Sequence, residues 1–281
     1  MSKQPFNDTR ERFAEIISRH DSEVHLAEAA LLIAAEEYPR LDVALYLEKL
    51  ENFSDRARER AASATNAADL IASLNATLFD ELGFQGNREN YYDPRNSFLN
   101  EVIDRRCGIP ITLSVIYIEV ARQIGFPIHG IGLPGHFIVG HFNPSENFFI
   151  DVFNGGRLLT ENALADLVTG MSGGRLEFNA THLLPVTKKQ LLTRMLSNLL
   201  SIYAGSQDYR RAIASIERIL LLIPDSLSHI RDYGLLLAQV EKPNSAIEQL
   251  EKYLKLMPDA DDAATIREEI KKMKQARARL N

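Results

Sequence analysis

Cysteine and tryptophan are almost absent from this sequence: Cys107 is the only cysteine in 281 residues, and there is no tryptophan. One cysteine cannot form an internal disulfide, and its survival as a thiol fits a reducing compartment. No stretch approaches the roughly 20 apolar residues that span a bilayer, and the first twenty residues lack an apolar run of signal-peptide length. We therefore expect a cytoplasmic protein with no membrane partner.

Basic residues are outnumbered by acidic ones, 32 to 38, for a formal net charge of -6. Proteins that bind nucleic acid need a basic footprint, so we expect no nucleic-acid partner. On the predicted strands the only two histidines that share one strand are His136 and His141, and a five-residue spacing on a strand directs side chains to opposite faces. The sequence therefore predicts no metal site, and nothing in it indicates a cofactor.

The hydrophobic content is ordinary for a globular protein, at 45%, and the length fits two domains or one large one. Residues 8–82 predict four helices with apolar residues at helical spacing. The first begins with Asp8 or Thr9 as its cap, the second covers residues 23–37, and the fourth is capped by Asn66 and ends at Gly83.

The next hundred residues predict an α+β core. A helix over residues 97–106, capped by Asn96 or Ser97, precedes a helix that starts at Pro110. This second helix is apolar nearly all round, so we expect it to be central and buried. Three strands follow, and the turn between the last two favours an antiparallel hairpin. The predicted strands are 126–133, 134–142 and 148–153, and the glycines at 155 and 156 end the last one.

The last third of the chain repeats with a period of 34 residues. Residues 191–224 align with 225–258, and the small, apolar and proline positions coincide. The matching pairs are Ala204 and Ala238, Ala212 and Ala246, Glu217 and Glu251, Leu220 and Leu254, and Pro224 and Pro258. This period resembles the tetratricopeptide repeat, in which each unit has two helices. A charged helix from about Asp262 to Leu280 caps the array, which either binds a peptide or protein or only stabilises the first domain.

These patterns divide the chain into two predicted domains. The first covers residues 1–186, with a helical part over 1–83 and a core over 84–186. The second covers residues 187–281 and contains the repeats with their capping helix.

Cys107 has the local environment of a reactive thiol. It lies just before the helix that starts at Pro110, and it follows Arg105 and Arg106. Positive charge and the backbone N–H groups of a helix start both stabilise a thiolate, so we expect the pKa of this thiol to be lowered. The alternatives are that Cys107 is a small apolar residue packed at a helix start, and that one or both arginines are solvated cations at a helix end.

His136 and Asp151 fall on predicted strands, and with Cys107 they form a possible nucleophile, base and orienting group. They can face each other if the two strands pair antiparallel. The centre of the turn, at about Ser145, lies nine residues after His136 and six before Asp151. Such a pairing therefore requires a bulge, an offset or a longer loop.

Five sequence blocks resemble the transglutaminase-like superfamily of papain-like cysteine enzymes, and in particular its bacterial SirB-type branch with C-terminal tetratricopeptide repeats. They are LFDELGFQGN (78–87), YYDPRNSFLNEV (91–102), RRCGIPITLS (105–114), GLPGHFIV (132–139) and IDVFNGG (150–156). The resemblance implies a central helix packed on a small antiparallel sheet. It also implies that Cys107, His136 and Asp151 correspond to the nucleophile, the base and the orienting residue.

The function that follows is cysteine-dependent acyl transfer or amide hydrolysis on a protein or peptide, which the repeats would present. The alternative is a non-catalytic adaptor that uses the same cleft and array to hold a protein partner. Asn96, Asn100 and Tyr92 are possible oxyanion donors, although capping and loop hydrogen bonds explain the two asparagines equally well.

Overall fold

The computed structural model describes residues 5–144 and 146–280. Its first part is helical, as predicted. The helices are α1 (Pro5–Ser18), α2 (Leu26–Glu37), α3 (Val43–Arg60) and α4 (Ala67–Asn75), and a π-helical turn, Ala76–Glu81, continues α4.

Two of the predicted helix starts are wrong and one is confirmed. α1 is already helical at Pro5, so neither Asp8 nor Thr9 is its cap. α2 begins after a separate short 3-10 turn that contains Glu23. The predicted cap of α4 is confirmed, because the Asn66 side chain accepts a hydrogen bond from the Asp69 N–H.

Two short elements surround the central helix. β1 (Gln85–Gly86) pairs in parallel with β2 (Cys107–Gly108). α5 (Leu99–Arg105) follows a 3-10 turn, Pro94–Ser97, so the predicted cap at Asn96 or Ser97 is wrong. α6 (Pro110–Gln123) starts at Pro110, as predicted, and is buried on nearly every side. It packs against α2, α3 and the sheet that carries the candidate site.

A four-stranded antiparallel sheet completes the first part of the chain. Its strands lie in the order of the sequence, and the three predicted ones are shorter than expected. Residues 134–135 and 152–154 form turns, and residues 126–128 have no regular structure. They are β3 (His129–Leu133), β4 (His136–His141), β5 (Phe148–Asp151) and β6 (Arg157–Leu159). β6 is not among the three predicted strands. α7 (Glu161–Ser172) covers one part of the sheet and buries Leu164 and Val168 against it.

Five helices make up the rest of the chain, and two of them keep the 34-residue period at both ends. They are α8 (Lys188–Gly205), α9 (Tyr209–Leu222), α10 (Leu227–Gln239), α11 (Pro243–Leu256) and α12 (Ala263–Leu280). α9 and α11 have the same length and start 34 residues apart, as the repeat predicts. Gly234 lies where α10 crosses α11, and a Cβ atom there would be 2.7 Å from the Leu250 side chain.

The chain forms two compact units, of which one ends at Met195 and the other begins at Leu196. The boundary therefore falls inside α8. Within residues 5–144 and 146–280, no helix is both long enough and apolar enough to cross a membrane.

Candidate active site

His136 and Asp151 form a buried pair at neighbouring strand ends. His136 begins β4, Asp151 ends β5, and the imidazole Nε2 lies 3.1 Å from the carboxylate Oδ1. The two residues are only 8% and 1% exposed. The register pairs Val139 with Ile150, so continuing it puts Asp151 opposite Ile138 and two positions from His136. An offset of two residues keeps both side chains on one face of the sheet. Of the three arrangements that the sequence left open (a bulge, an offset or a longer loop), the structure has the offset.

A tight turn directly after β5 supplies the other partners of Asp151. In the 3-10 turn Val152–Asn154, Asn154 donates its backbone N–H to Oδ1 at 3.3 Å and its Nδ2 to Oδ2 at 2.6 Å. Gly155 and Gly156 both have positive φ, and the Gly156 N–H donates to the Asp151 carbonyl at 3.0 Å. Glycine adopts this conformation at no steric cost, which explains why two glycines close the turn after β5.

The electrostatic environment of Asp151 favours the charged form. Burial alone would raise the pKa of this carboxyl. The hydrogen bond and charge of His136, together with two hydrogen bonds from Asn154, outweigh burial and hold the pKa below its ordinary value. Asp151 is therefore ionised near neutral pH.

The ionised carboxylate fixes the tautomer of His136. A carboxylate can only accept a hydrogen bond, so the facing nitrogen, Nε2, must carry the proton. In the neutral imidazole the lone pair then lies on Nδ1. Nδ1 is thus the nitrogen that can act as a base.

Arg194, from α8, holds the backbone of His136. It donates from Nη2 to the carbonyl oxygens of His136 at 2.6 Å and Leu133 at 3.2 Å, and its guanidinium lies 5.4 Å from the centre of the Phe137 ring. Gly132 leaves the space for this arginine, because a Cβ atom there would be 3.2 Å from Arg194 Nη1. Arg194 was not predicted as a site residue; its only signal in the sequence is the two glycines of β3, Gly130 and Gly132.

Cys107 lies just before α6, as predicted, but its pKa moves in the opposite direction from the prediction. The residue is half-buried on β2, next to Gln85 of β1. Burial raises the pKa of the thiol, and the charge of Arg105 lowers it only in part, while Asp93 and Glu89 raise it further. The predicted lowering of the thiol pKa is therefore wrong.

The two arginines before Cys107 have different environments. Arg105 donates to the Asn96 side chain at 3.4 Å and lies 3.9 Å from the Asp93 carboxylate. Arg106 has a left-handed backbone, with φ of 56°, and its guanidinium stacks 4.4 Å from the Phe53 ring centre and 4.8 Å from that of Phe84. Arg106 is thus not a solvated cation at a helix end. It is also not among the charges that shift the pKa of the Cys107 thiol.

Phe153 connects the strand of Cys107 with the histidine pair. A Cβ atom on Gly86, the β1 neighbour of Gly108, would be 2.6 Å from the Phe153 ring. The same ring meets the His136 imidazole edge to face, with centres 6.2 Å apart. The direct contact in the candidate site is His136 with Asp151, and Cys107 is connected to that pair through β1 and Phe153.

The three proposed oxyanion donors have different environments. Asn96 uses its Nδ2 to hold the carbonyls of Asn90 and Tyr91, which supports the loop explanation for this residue. Tyr92 is 78% exposed to solvent. Asn100 is 4% exposed, and its Oδ1 finds no hydrogen-bond partner in the part of the chain that the structure describes. In the same part of the chain, no three metal-ligating side chains come together.

Two family matches agree with this architecture. The transglutaminase-like superfamily matches residues 44–197, and a tetratricopeptide repeat family matches residues 199–271. The fold is thus a transglutaminase-like core followed by tetratricopeptide helices.

Similar proteins show which group of the superfamily the chain resembles. A UPF0162 protein of Xylella fastidiosa is 38% identical over 250 residues, which cover 88% of this chain and 89% of that protein. A UPF0162 protein of Vibrio cholerae is 28% identical over 213 residues, 74% of this chain and 78% of its own length. F-box only protein 21 of Homo sapiens is 31% identical over 175 residues, 57% of this chain but 26% of its own length. The chain belongs to the transglutaminase-like superfamily and groups with its UPF0162 proteins.

Proposed function

We propose that this protein transfers or hydrolyses acyl groups through a thioester on Cys107, with His136 as the base and Asp151 as its orienting partner. The observation that carries the proposal is the buried His136–Asp151 pair. A carboxylate that fixes the tautomer and stabilises the charged imidazole is what a nucleophile's base requires.

The proposed reaction needs no other reagent than the acyl substrate and its acceptor. Nδ1 of His136 takes the thiol proton while Sγ attacks the carbonyl carbon of an amide. The C–N bond then breaks, and the leaving nitrogen receives that proton from His136. Attack by water or an amine releases the acyl group as an acid or a new amide, and His136 returns the attacker's proton to the sulfur.

The substrate class that we propose is a protein or peptide. The support is the tetratricopeptide match to residues 199–271, since such helical arrays provide extended binding surfaces. The repeats would bind the substrate protein, and the acyl group would come from one of its side chains or from its backbone.

A second candidate function is a non-catalytic adaptor, and the raised thiol pKa favours it. A half-buried thiol near Asp93 and Glu89 forms little thiolate at neutral pH unless His136 takes its proton. In the adaptor, the same cleft would hold a partner protein without chemistry at Cys107.

An activated ester separates the two functions. With p-nitrophenyl acetate at pH 7.5, we expect a burst of nitrophenolate and an acetyl group on Cys107, detected by peptide mass spectrometry, and no acetylation at position 107 in Cys107→Ala. His136→Ala should slow acylation by about 10²–10⁴-fold, and Asp151→Asn by up to about 10⁴-fold, as in a Ser-His-Asp enzyme.

His141→Ala is the matched control, because His141 is also buried on β4 but lies near the Pro127 carbonyl, 2.9 Å from Nδ1. This variant should acylate at the wild-type rate. If His136→Ala and His141→Ala both acylate as fast as the wild type, Cys107 has no dedicated base and the adaptor is the correct function.

A further inference from the structure

Asn154 is a surface residue that contacts one of the most buried carboxylates of the protein. Asp151 is 1% exposed, whereas Asn154 is solvent-exposed, and its amide Nδ2 lies 2.6 Å from Asp151 Oδ2. The outer oxygen of the carboxylate is thus held by a side chain that itself borders water.

The carboxamide of Asn154 has a second partner on its opposite end. Arg88, in the loop between β1 and the Pro94–Ser97 turn, donates from Nη2 to Asn154 Oδ1. Its guanidinium also lies 5.8 Å from the centre of the Phe153 ring, which meets the His136 imidazole. Arg88 therefore touches the two residues that contact the histidine pair from the loop side.

The chemistry of the two groups determines how the amide is oriented. An amide has a donor end and an acceptor end, and a guanidinium can only donate. Arg88 therefore selects the oxygen end of Asn154 and turns the NH2 end toward Asp151. The reversed amide would direct its oxygen at the carboxylate, with no hydrogen atom between them.

We infer that Arg88 and Asn154 are positioning residues of the histidine pair, and that they act on His136 through the orientation of the Asp151 carboxylate. The order of contacts is Arg88, Asn154, Asp151 and His136. Neither residue was singled out from the sequence, since 66 positions separate the arginine from the asparagine. The inference rests on the proposed function only in that it assumes the pair to be the working base.

The pKa of Asp151 supports this arrangement. Both hydrogen bonds from Asn154 help to keep that pKa below its ordinary value. Removing the Nδ2 donor leaves the charged form less stabilised, so the pKa of Asp151 should rise toward the ordinary range.

The test uses a spectroscopic signal of the pair in the full-length protein. A buried imidazole N–H that donates to a carboxylate exchanges slowly with water, so we expect a far-downfield proton resonance for His136 Nε2–H. In Asn154→Ala and Arg88→Met this resonance should broaden or disappear, and the carboxyl ¹³C titration of Asp151 should move to higher pH. Arg88→Lys keeps the charge and a donor, and it should retain the resonance.

Arg95→Met is the matched control. Arg95 is an exposed arginine that pairs with Asp93 through a 2.7 Å contact. Arg95→Met removes an arginine from the Pro94–Ser97 turn that follows the loop of Arg88. It should leave the His136 resonance and the Asp151 titration unchanged.

Persistence of the resonance and of the Asp151 titration in both Asn154→Ala and Arg88→Met would overturn the inference. If Asn154→Ala does not fold, the exposed Arg88→Met variant decides alone. These signals are independent of Cys107: an unreactive thiol removes the proposed function but leaves this result standing.

Discussion

The candidate site has two halves that hold their ionisable groups in opposite ways. In the carboxylate half, formed by His136 and Asp151, the acid accepts three hydrogen bonds and its pKa lies below the ordinary value. In the thiol half, formed by Cys107 and its β2 surroundings, burial and two nearby acids raise the pKa. Burial opposes charge in both halves, but only the carboxylate half has donors that outweigh it.

This difference indicates which half is built to carry charge before a substrate arrives. The carboxylate is charged at neutral pH and its partner tautomer is fixed, whereas the thiol stays neutral until a base removes its proton. In a pair of this kind the histidine must act as a true base for each attack, because a resting thiolate is not stabilised.

The largest expected effect comes from breaking the carboxylate half. Asp151→Ala removes the acceptor of three hydrogen bonds and leaves the buried His136 N–H unpaired. We expect a loss of about 3 kcal/mol in the free energy of unfolding at pH 7, since one hydrogen bond to a charged group contributes about 1.5–3 kcal/mol. Cys107→Ala removes a half-buried group and should cost less than about 1 kcal/mol. Urea unfolding of both variants measures the difference.

The pH dependence sharpens this prediction. The folded-state pKa of Asp151 is lowered, so its contribution to stability is present above the unfolded-state pKa and is lost as the pH falls through the folded-state value. The stability gap between wild type and Asp151→Ala should therefore shrink in acid. The gap for Cys107→Ala should stay constant from pH 7 into that range, because the thiol is neutral throughout. If the stability gap for Asp151→Ala does not change with pH, the pKa of Asp151 is not lowered in the folded protein.

The sequence predicted the parts of this site that depend on local chain chemistry. Pro110 marks the start of the buried helix, and Gly155 and Gly156 close the turn that follows β5, since each requirement lies within a few residues. The 34-residue period predicted the helix pairs from α8 to α11 for a similar reason, because a repeated unit carries its own pattern.

Long-range partners explain what the sequence could not predict. The thiol pKa is raised first by burial and then by Asp93 and Glu89, acids that are distant from Cys107 in the sequence. The guanidinium of Arg106 stacks on the aromatic faces of Phe53 and Phe84 and not on the thiol side. The residues near position 106 in the sequence give no sign of this contact. The two-residue pairing of β1 with β2 is too short to produce an alternating pattern.

An intermediate effect is expected where the two halves meet. Gly86→Ala places a methyl group 2.6 Å from both the Phe153 ring and the Phe153 carbonyl oxygen, so the ring and the turn that carries it must shift, at a cost of about 1–3 kcal/mol. Because Phe153 contacts His136, the downfield His136 proton and the alkylation rate of Cys107 should change together. Gly170→Ala on α7, where a Cβ atom meets nothing within 4 Å, is the control and should leave both unchanged. A change in only one of the signals would mean that the halves are independent.

The smallest expected effect separates the two arginines of the thiol half. Arg105 is the cation that lowers the thiol pKa, and it also lies near Asp93. Arg105→Met should therefore raise the pKa and slow iodoacetamide alkylation of Cys107 at pH 7.5 by about two- to fivefold, the effect of one partly screened charge. Arg106→Met should leave the rate unchanged, because that guanidinium is stacked on Phe53 and Phe84. Alkylation is followed by mass spectrometry across a pH series, and the wild-type midpoint should lie above the ordinary value of a cysteine thiol. Equal slowing in both variants would mean that both guanidinium groups lower the thiol pKa, whichever way their side chains point. The contrast between Arg105 and Arg106 would then be wrong.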